Sequence, residues 1–255
     1  MTLPESLFSM PPAPLAGVAC AFALAGLVKG VVGLGLPTVS MGLLALMMAP
    51  AEAAALVIVP SLVTNVWQIG AGPALRPLLA RLAPMQVGVF AGTLAGAWAF
   101  GAPAGAWAMV CLGVVLVAYA GWRLAGARGR VDPRAEPWLG PAVGAATGLV
   151  TAATGVFVVP AVPYLQALGL GRDELVRAMG VSFTASTVAL AAGLHLNASY
   201  PGAAALASGW MLVPALAGMY AGQALRGRLS PARFRLCFMG SLVLLGLHMI
   251  LRELW

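Results

Sequence analysis

The stretch Gly26-Leu27-Val28-Lys29-Gly30-Val31-Val32-Gly33-Leu34-Gly35-Leu36-Pro37 decides how this chain is read. It interrupts an apolar run from about residue 14 to 49. One bilayer crossing needs only about 20 helical residues for a hydrocarbon core of about 30 Å, so this run is too long for a single span. Glycines permit a tight turn and close approach of another backbone, and Pro37 suits the first turn of a following helix. The expectation is a helix broken inside the apolar segment around Lys29 to Pro37, leaving pieces of about 13 to 17 residues on either side. A second region, about 139 to 170, is interrupted in the same way at Thr151-Ala152-Ala153-Thr154-Gly155, with Pro160 shortly after.

Outward from these breaks, the composition places the chain in a membrane. Of 255 residues, 61% are apolar and 8% charged, against roughly 25% charged in a soluble domain. Six further stretches, approximately 53 to 71, 82 to 100, 104 to 122, 178 to 195, 203 to 225 and 234 to 251, are each long enough to cross at about 1.5 Å per residue. The formal charge of +7 does not form a nucleic-acid patch, because the basic residues sit in short clusters between apolar stretches. Cys20, Cys111 and Cys237 lie in apolar runs and read as small core residues, with no disulfide framework and no metal site. The N-terminus has no basic residue before its first apolar run, so that run is expected to remain in the mature protein.

Short loops rich in Lys and Arg stay in the cytoplasm. Those near Arg76 and Arg81, from Arg123 to Arg134, at Arg172 and Arg177, and from Arg226 to Arg235 are basic, whereas the connections at 101 to 103 and 196 to 202 carry no charge. The six spans then alternate without conflict, with both termini outside. The halves also repeat. Gly26-Leu27-Val28 with Gly33 matches Gly148-Leu149-Val150 with Gly155, Pro37 matches Pro160, and Ser61 matches Ser182. The expected fold class is an all-α integral membrane protein of two inverted-topology repeats, each a broken, re-entrant helical hairpin followed by three transmembrane helices. The first repeat is 1–122, a cytoplasmic linker is 123–138, and the second repeat is 139–255. Paired interrupted segments at corresponding positions are the sequence pointer to a transporter's binding site.

Unpaired backbone cannot face lipid, so such breaks must be buried in protein or line a polar cavity. Two half-helix N-termini meeting near the midplane would present positive dipole ends to an anion. The candidate substrate-binding residues are therefore Lys29, Gly30, Gly33, Gly35 and Pro37 at the first break, Thr154 and Gly155 at the second, and the in-span polar residues Thr64, Asn65, Gln68, Ser182, Thr184 and Ser186. Lys29 is an intramembrane ionisable group and so a functional candidate, or else a lysine reaching to the interface. Glu52, Asp173 and Glu174 start spans, where a carboxylate complements the helix dipole, and the tryptophans read as interfacial anchors.

The residues at 26 to 37, followed by Pro-Ser-Leu-Val-Thr-Asn-Val-Trp-Gln at 60 to 68, resemble the sulfite exporter TauE/SafE family, and the weaker repeat at 148 to 187 extends the likeness over nearly the whole chain. That resemblance implies a multi-pass protein of the bacterial plasma (inner) membrane, a secondary transporter that moves sulfite or an organosulfur anion such as a sulfonate by alternating access. Its partners would be the small anionic substrate, the lipid bilayer and a coupling proton or sodium ion, with no cofactor and no nucleic acid. A passive anion channel is the alternative, since it would share this composition. An enzyme is disfavoured, because the chain has no G-x-S-x-G elbow, no H-E-x-x-H and no buried acidic pair, and no G-x-x-x-x-G-K-[ST] sequence supports an ATP-driven pump.

Overall fold

The computed structural model describes residues 12–70, 75–126, 129–200, 202–226 and 230–254. Residues 1–11, Arg128, Arg228 and Trp255, which the sequence reading used, lie outside them. Ten helices are present among the described residues: α1 Pro12–Val32, α2 Leu36–Leu44, α3 Pro50–Ile69, α4 Leu75–Phe100, α5 Gly105–Leu124, α6 Glu136–Thr154, α7 Ala161–Ala167, α8 Arg172–Leu196, α9 Gly202–Leu225 and α10 Pro231–Leu254. No strand occurs among those residues. Seven helices are long and apolar enough to cross a membrane, including α1 over Ala13–Val32 and the six expected full spans.

Both breaks fall inside the expected stretches, toward their later residues, and the pieces are unequal. Lys29 and Gly30 are inside α1, which is 21 residues long, and α2 after it has only 9. Thr151 and Thr154 are inside the 19-residue α6, and α7 has 7 residues. A lone glycine or threonine does not stop a helix, because each threonine hydroxyl donates to the carbonyl one turn back: Thr147 to Val143, Thr151 to Thr147 and Thr154 to Val150, each at 2.7 Å. What stops α1 and α6 is positive φ, at Gly33 (84°), Gly35 (109°) and Gly155 (68°), a region favourable to glycine alone. Pro37 then sits in the first turn of α2 as expected, whereas Pro160 is the residue before α7.

The helices pack in a pattern that exchanges the two halves. Helix α1 packs on α9 as α6 packs on α4, while α3 meets α8 and α5 meets α10. Small residues bring the first two pairs together. An added Cβ on Gly26 or Gly30 would overlap the carbonyls of Ala215 or Met219, and on Gly218 or Gly222 those of Ala23 or Leu27. Gly88, Gly92, Gly144 and Gly148 do the same between α4 and α6. These are small-x-x-x-small faces, the device by which helices approach closely in lipid. Their register, Ala23 against Gly218 and Leu27 against Gly222, makes α1 and α9 parallel. By contrast α5 and α10 are antiparallel, with Gly113 against Ile250 and Gly246 against Val117, and Gly180 of α8 lies against Asn65 and Ile69 of α3.

The outside of the bundle is apolar. Trp98 is 89% exposed, and Val87, Leu206 and Leu244 are also exposed, which suits a lipid-facing surface. Trp67, Trp107, Trp138 and Trp210 are exposed as anchors would be. The cysteines depart from expectation, for Cys20 and Cys237 are exposed and Cys111 half-buried. An apolar sequence neighbourhood does not identify the core in a membrane helix, because the lipid-facing side is as apolar as the interior.

Candidate functional site

Lys29 lies one turn before the end of α1, where a cation complements the C-terminal dipole. The helix points it inward: the residue is only 5% exposed. Its ammonium donates to Thr64 Oγ1 at 3.0 Å and to Asn65 Oδ1 on α3. Thr64 Oγ1 itself donates to Pro60 O at 2.7 Å, where Pro60 lies inside α3, so its lone pairs remain for the ammonium. Both acceptors are neutral, and Lys29 has no ion-pair partner among the described residues.

Lys29 opens on a cavity of about 180 Å³, lined also by Gly30, Gly33, Thr64, Gln68, Gln223 and Arg226, with Trp67, Val176 and Met219 as apolar walls. Four elements form it. The turn at Gly33 leaves open space where a side chain would be, α3 supplies Thr64 and Gln68, α8 supplies Val176, and the end of α9 supplies Gln223. Gln68 is fixed by donating its Nε2 to Val176 O at 2.9 Å. No carboxylate lines the cavity, and its cations are Lys29 inside and exposed Arg226.

Asn65 stands behind the ammonium. A lysine can only donate, so the oxygen of the Asn65 amide must face it and the NH2 must face away. That Nδ2, in a residue 0% exposed, has no hydrogen-bond partner among the described residues. The hydroxyls of Thr38, Ser61 and Ser186 are likewise buried without a partner. An unsatisfied buried donor costs about 1 to 3 kcal/mol, so the unpartnered Asn65 amide directly behind the Lys29 ammonium is unusual for a purely structural core.

Of the residues picked from sequence, the structure gathers Lys29, Gly30, Gly33, Thr64 and Gln68 on one cavity, with Asn65 one bond away. Gly30 is helical rather than part of the turn and also serves as a packing residue against α9. Gly35 and Pro37 shape the start of α2. The second-half residues picked from sequence, Thr154, Gly155, Ser182, Thr184 and Ser186, do not line this cavity. Gly155 ends α6 against Met41 and Ala54, and Thr154 Oγ1 accepts from Val156 N at 3.2 Å. Ser182 accepts from Gln86 at 3.0 Å, while Thr184 donates to Gly180 O within its own helix. The second break is instead plugged by Phe157, whose ring lies 5.3 Å from that of Phe183. Sequence reasoning missed Gln223, although a glutamine near the end of an apolar span was a usable signal. It counted Arg226 only as a marker of sidedness.

A second, much smaller space lies at the positions that the sequence matches between the halves. At the matched spacing Lys29 corresponds to Thr151 and Gly26 to Gly148, and the packing faces set Met219 against Gly26 as Thr93 is set against Gly148. On that side a space of only about 10 Å³ is left, lined by Thr93, Ala97, Ala152, Gly193 and Asn197 among others. Asn197 Nδ2 closes over it by donating to Ala97 O at 3.0 Å.

Compared with known proteins, residues 18–249 match the family model described as sulfite exporter TauE/SafE. No curated protein and no solved structure matches the chain.

Proposed function

Because the chain belongs to the sulfite exporter TauE/SafE family, we propose that it is a secondary transporter of a small anion, sulfite or an organosulfur anion such as a sulfonate, working by alternating access around the Lys29 cavity. The observation that carries this reading is the interior ammonium of Lys29, held only by neutral acceptors beside a cavity without carboxylates. Ionisable side chains buried within a membrane bundle are costly and rare, and such residues mark substrate or ion pathways. An anion in the cavity supplies the missing counter-charge. The neutral amides of Gln68 and Gln223 around it can donate hydrogen bonds without holding the anion too tightly to be released.

Alternating access is supported by the unequal cavities at matched places in the two halves, one of about 180 Å³ and one of about 10 Å³. In this reading the open cavity, beside Arg226, faces the cytoplasm by the basic-loop rule, and the closed one faces outward. The inverted relation of the repeats is supported by their packing. Equivalent helices related by an axis along the bundle would run parallel, whereas α5 and α10 run antiparallel, as an axis in the membrane plane requires. The Thr64, Asn65 and Gln68 group then belongs to the inward-facing site, with Ser182, Thr184, Ser186, Thr154 and Gly155 reserved for the outward-facing state. The driving ion would be a proton or sodium, and the membrane a bacterial inner membrane.

Purified protein in liposomes tests the proposal. Sulfite or short-chain sulfonate flux should saturate, and internal unlabelled anion should accelerate uptake of labelled anion by counterflow. Flux that rises linearly with concentration, with discrete current steps in single-channel recordings, would establish a passive channel instead.

A further inference from the structure

A second cavity, of about 540 Å³, lies where the linker between the halves meets the second broken segment. Its lining includes Trp122 at the end of α5, Gly129 and Arg130 of the linker, Pro163 and Gln166 of α7, and Leu175 of α8. The linker is fastened there by Val131 N donating to Ala167 O at 2.9 Å, so the cavity is built by defined backbone and not by a loose loop.

Its polar groups are donors. Arg123 donates from Nη1 to Gln166 Oε1 at 3.1 Å and lies 5.9 Å from the centre of the Trp122 ring. Once the Gln166 oxygen accepts from Arg123, its NH2 is the group left to bond elsewhere, and among the described residues it has no partner. The guanidinium of Arg130 is exposed and also has none. Asp173 and Glu174, in the first turn of α8, do not line the cavity, nor does Asp132. The guanidinium of Arg130 and the amide NH2 of Gln166, in a lining without carboxylates and with Arg123 behind Gln166, match the oxygens of a phosphate, which arginine binds through its fork of N–H donors.

The position indicates where the phosphate comes from. Trp122 is an aromatic at a helix end, Leu124 beside it is exposed and apolar, and the surrounding loop is basic, which sets the cavity at the cytoplasmic headgroup level. Basic pockets between helices on that side are suited to anionic headgroups. We infer that this cavity binds the phosphodiester headgroup of an anionic phospholipid through Arg130 and Gln166, the latter oriented by Arg123, with the acyl chains lying along the exposed face at the end of α5. The bound lipid would hold the linker against α7.

Native mass spectrometry of the full chain tests this by comparing retention of phosphatidylglycerol and phosphatidylcholine, alongside thermal shift in detergent with each lipid and with inorganic phosphate. Wild type should keep phosphatidylglycerol about tenfold more tightly than phosphatidylcholine. Arg130→Gln and Gln166→Glu should each remove most of that preference, as expected for a lost charge-assisted hydrogen bond or an added repulsive charge, and Arg130→Lys should restore much of it. Lipid-free thermal midpoints equal to wild type will establish that these variants are folded. Equal retention of the two lipids by wild type would overturn the inference, as would a preference that survives in both variants. If millimolar inorganic phosphate displaces phosphatidylglycerol, the site takes free phosphate and the lipid assignment is wrong.

Discussion

Replacing Lys29 by glutamine separates a substrate-binding cation from a lysine that merely ends a helix. The amide of glutamine can still donate to Thr64 Oγ1 and Asn65 Oδ1, so the change chiefly deletes charge. For an anion about 5 Å from the ammonium, the Coulomb energy is about 0.8 kcal/mol in a water-like dielectric and about 3 kcal/mol at an effective dielectric of about 20. With 1.4 kcal/mol per factor of ten, the dissociation constant should rise by about fourfold to about two-hundredfold. Lys29 is only 5% exposed, which puts the expectation in the upper half of that range, about thirtyfold or more. The same substitution removes a buried charge with no ion-pair partner among the described residues, and replacing such a charge with a neutral group is often neutral or stabilising. The unliganded Lys29→Gln protein should therefore melt no lower than wild type. The assay is thermal shift as a function of anion concentration, using sulfite, thiosulfate and small sulfonates against ionic-strength controls, since binding to the folded state raises its midpoint by mass action. Lys29→Arg keeps the charge but changes its geometry, and should lose less affinity than Lys29→Gln. An unchanged dissociation constant in Lys29→Gln would refute the reasoning and remove this lysine from the anion site.

Other outcomes follow from the same geometry. Asn65→Asp puts a carboxylate where Lys29 now donates to a neutral oxygen, so it should weaken anion binding about as much as Lys29→Gln does, and the double variant, which leaves that carboxylate without its cation, should bind more weakly than either single variant; a double variant that binds as well as Lys29→Gln would contradict the placement of Asn65 beside the anion. An Ala97→Cys, Gly193→Cys pair should form a disulfide on oxidation, because a Cβ at Gly193 would lie 3.0 Å from that of Ala97 and a small outward shift reaches the roughly 3.8 Å a disulfide prefers. The oxidised protein should still bind anion but stop transporting it, and undiminished liposome flux would count against alternating access. Gly92→Ala should cost about 1 to 3 kcal/mol by forcing α4 and α6 apart, whereas Gly209→Ala, with open space around it, should be neutral or slightly stabilising; thermal midpoints in detergent measure both. A cysteine at Arg130 should escape a membrane-impermeant maleimide in intact cells while one at Ser199 reacts, in a background without Cys20, Cys111 and Cys237, and the reverse pattern would invert the assigned topology.

Much of this protein was legible in its sequence. Composition alone required lipid on the outside, since 8% charged residues cannot cover a chain of this size in water. Apolar length located the six full spans, and the stretches 26 to 37 and 60 to 68 carried the resemblance to the family that the chain matches over residues 18–249. Lys29, Thr64, Asn65 and Gln68 were picked out because polar side chains in an apolar segment are rare enough to stand out individually.

Three things were settled only by tertiary structure. The positions of the breaks were one, because the sequence lists glycines while the fold decides which take positive φ: Gly33, Gly35 and Gly155 do, and Gly30 instead packs on α9. The cysteines were another, since burial in a membrane helix depends on which face meets protein, and apolarity is the same on both. The last was the grouping of the polar side chains around one cavity. Lys29 and Thr64 are 35 positions apart, and Gln223 and Arg226 come from the other half of the chain. Periodicity within one helix carries no information on which distant helix it will face. Only the close packing of α1 on α9, made possible by paired glycines, and the hydrogen bonds from Lys29 to α3 bring these groups around one cavity.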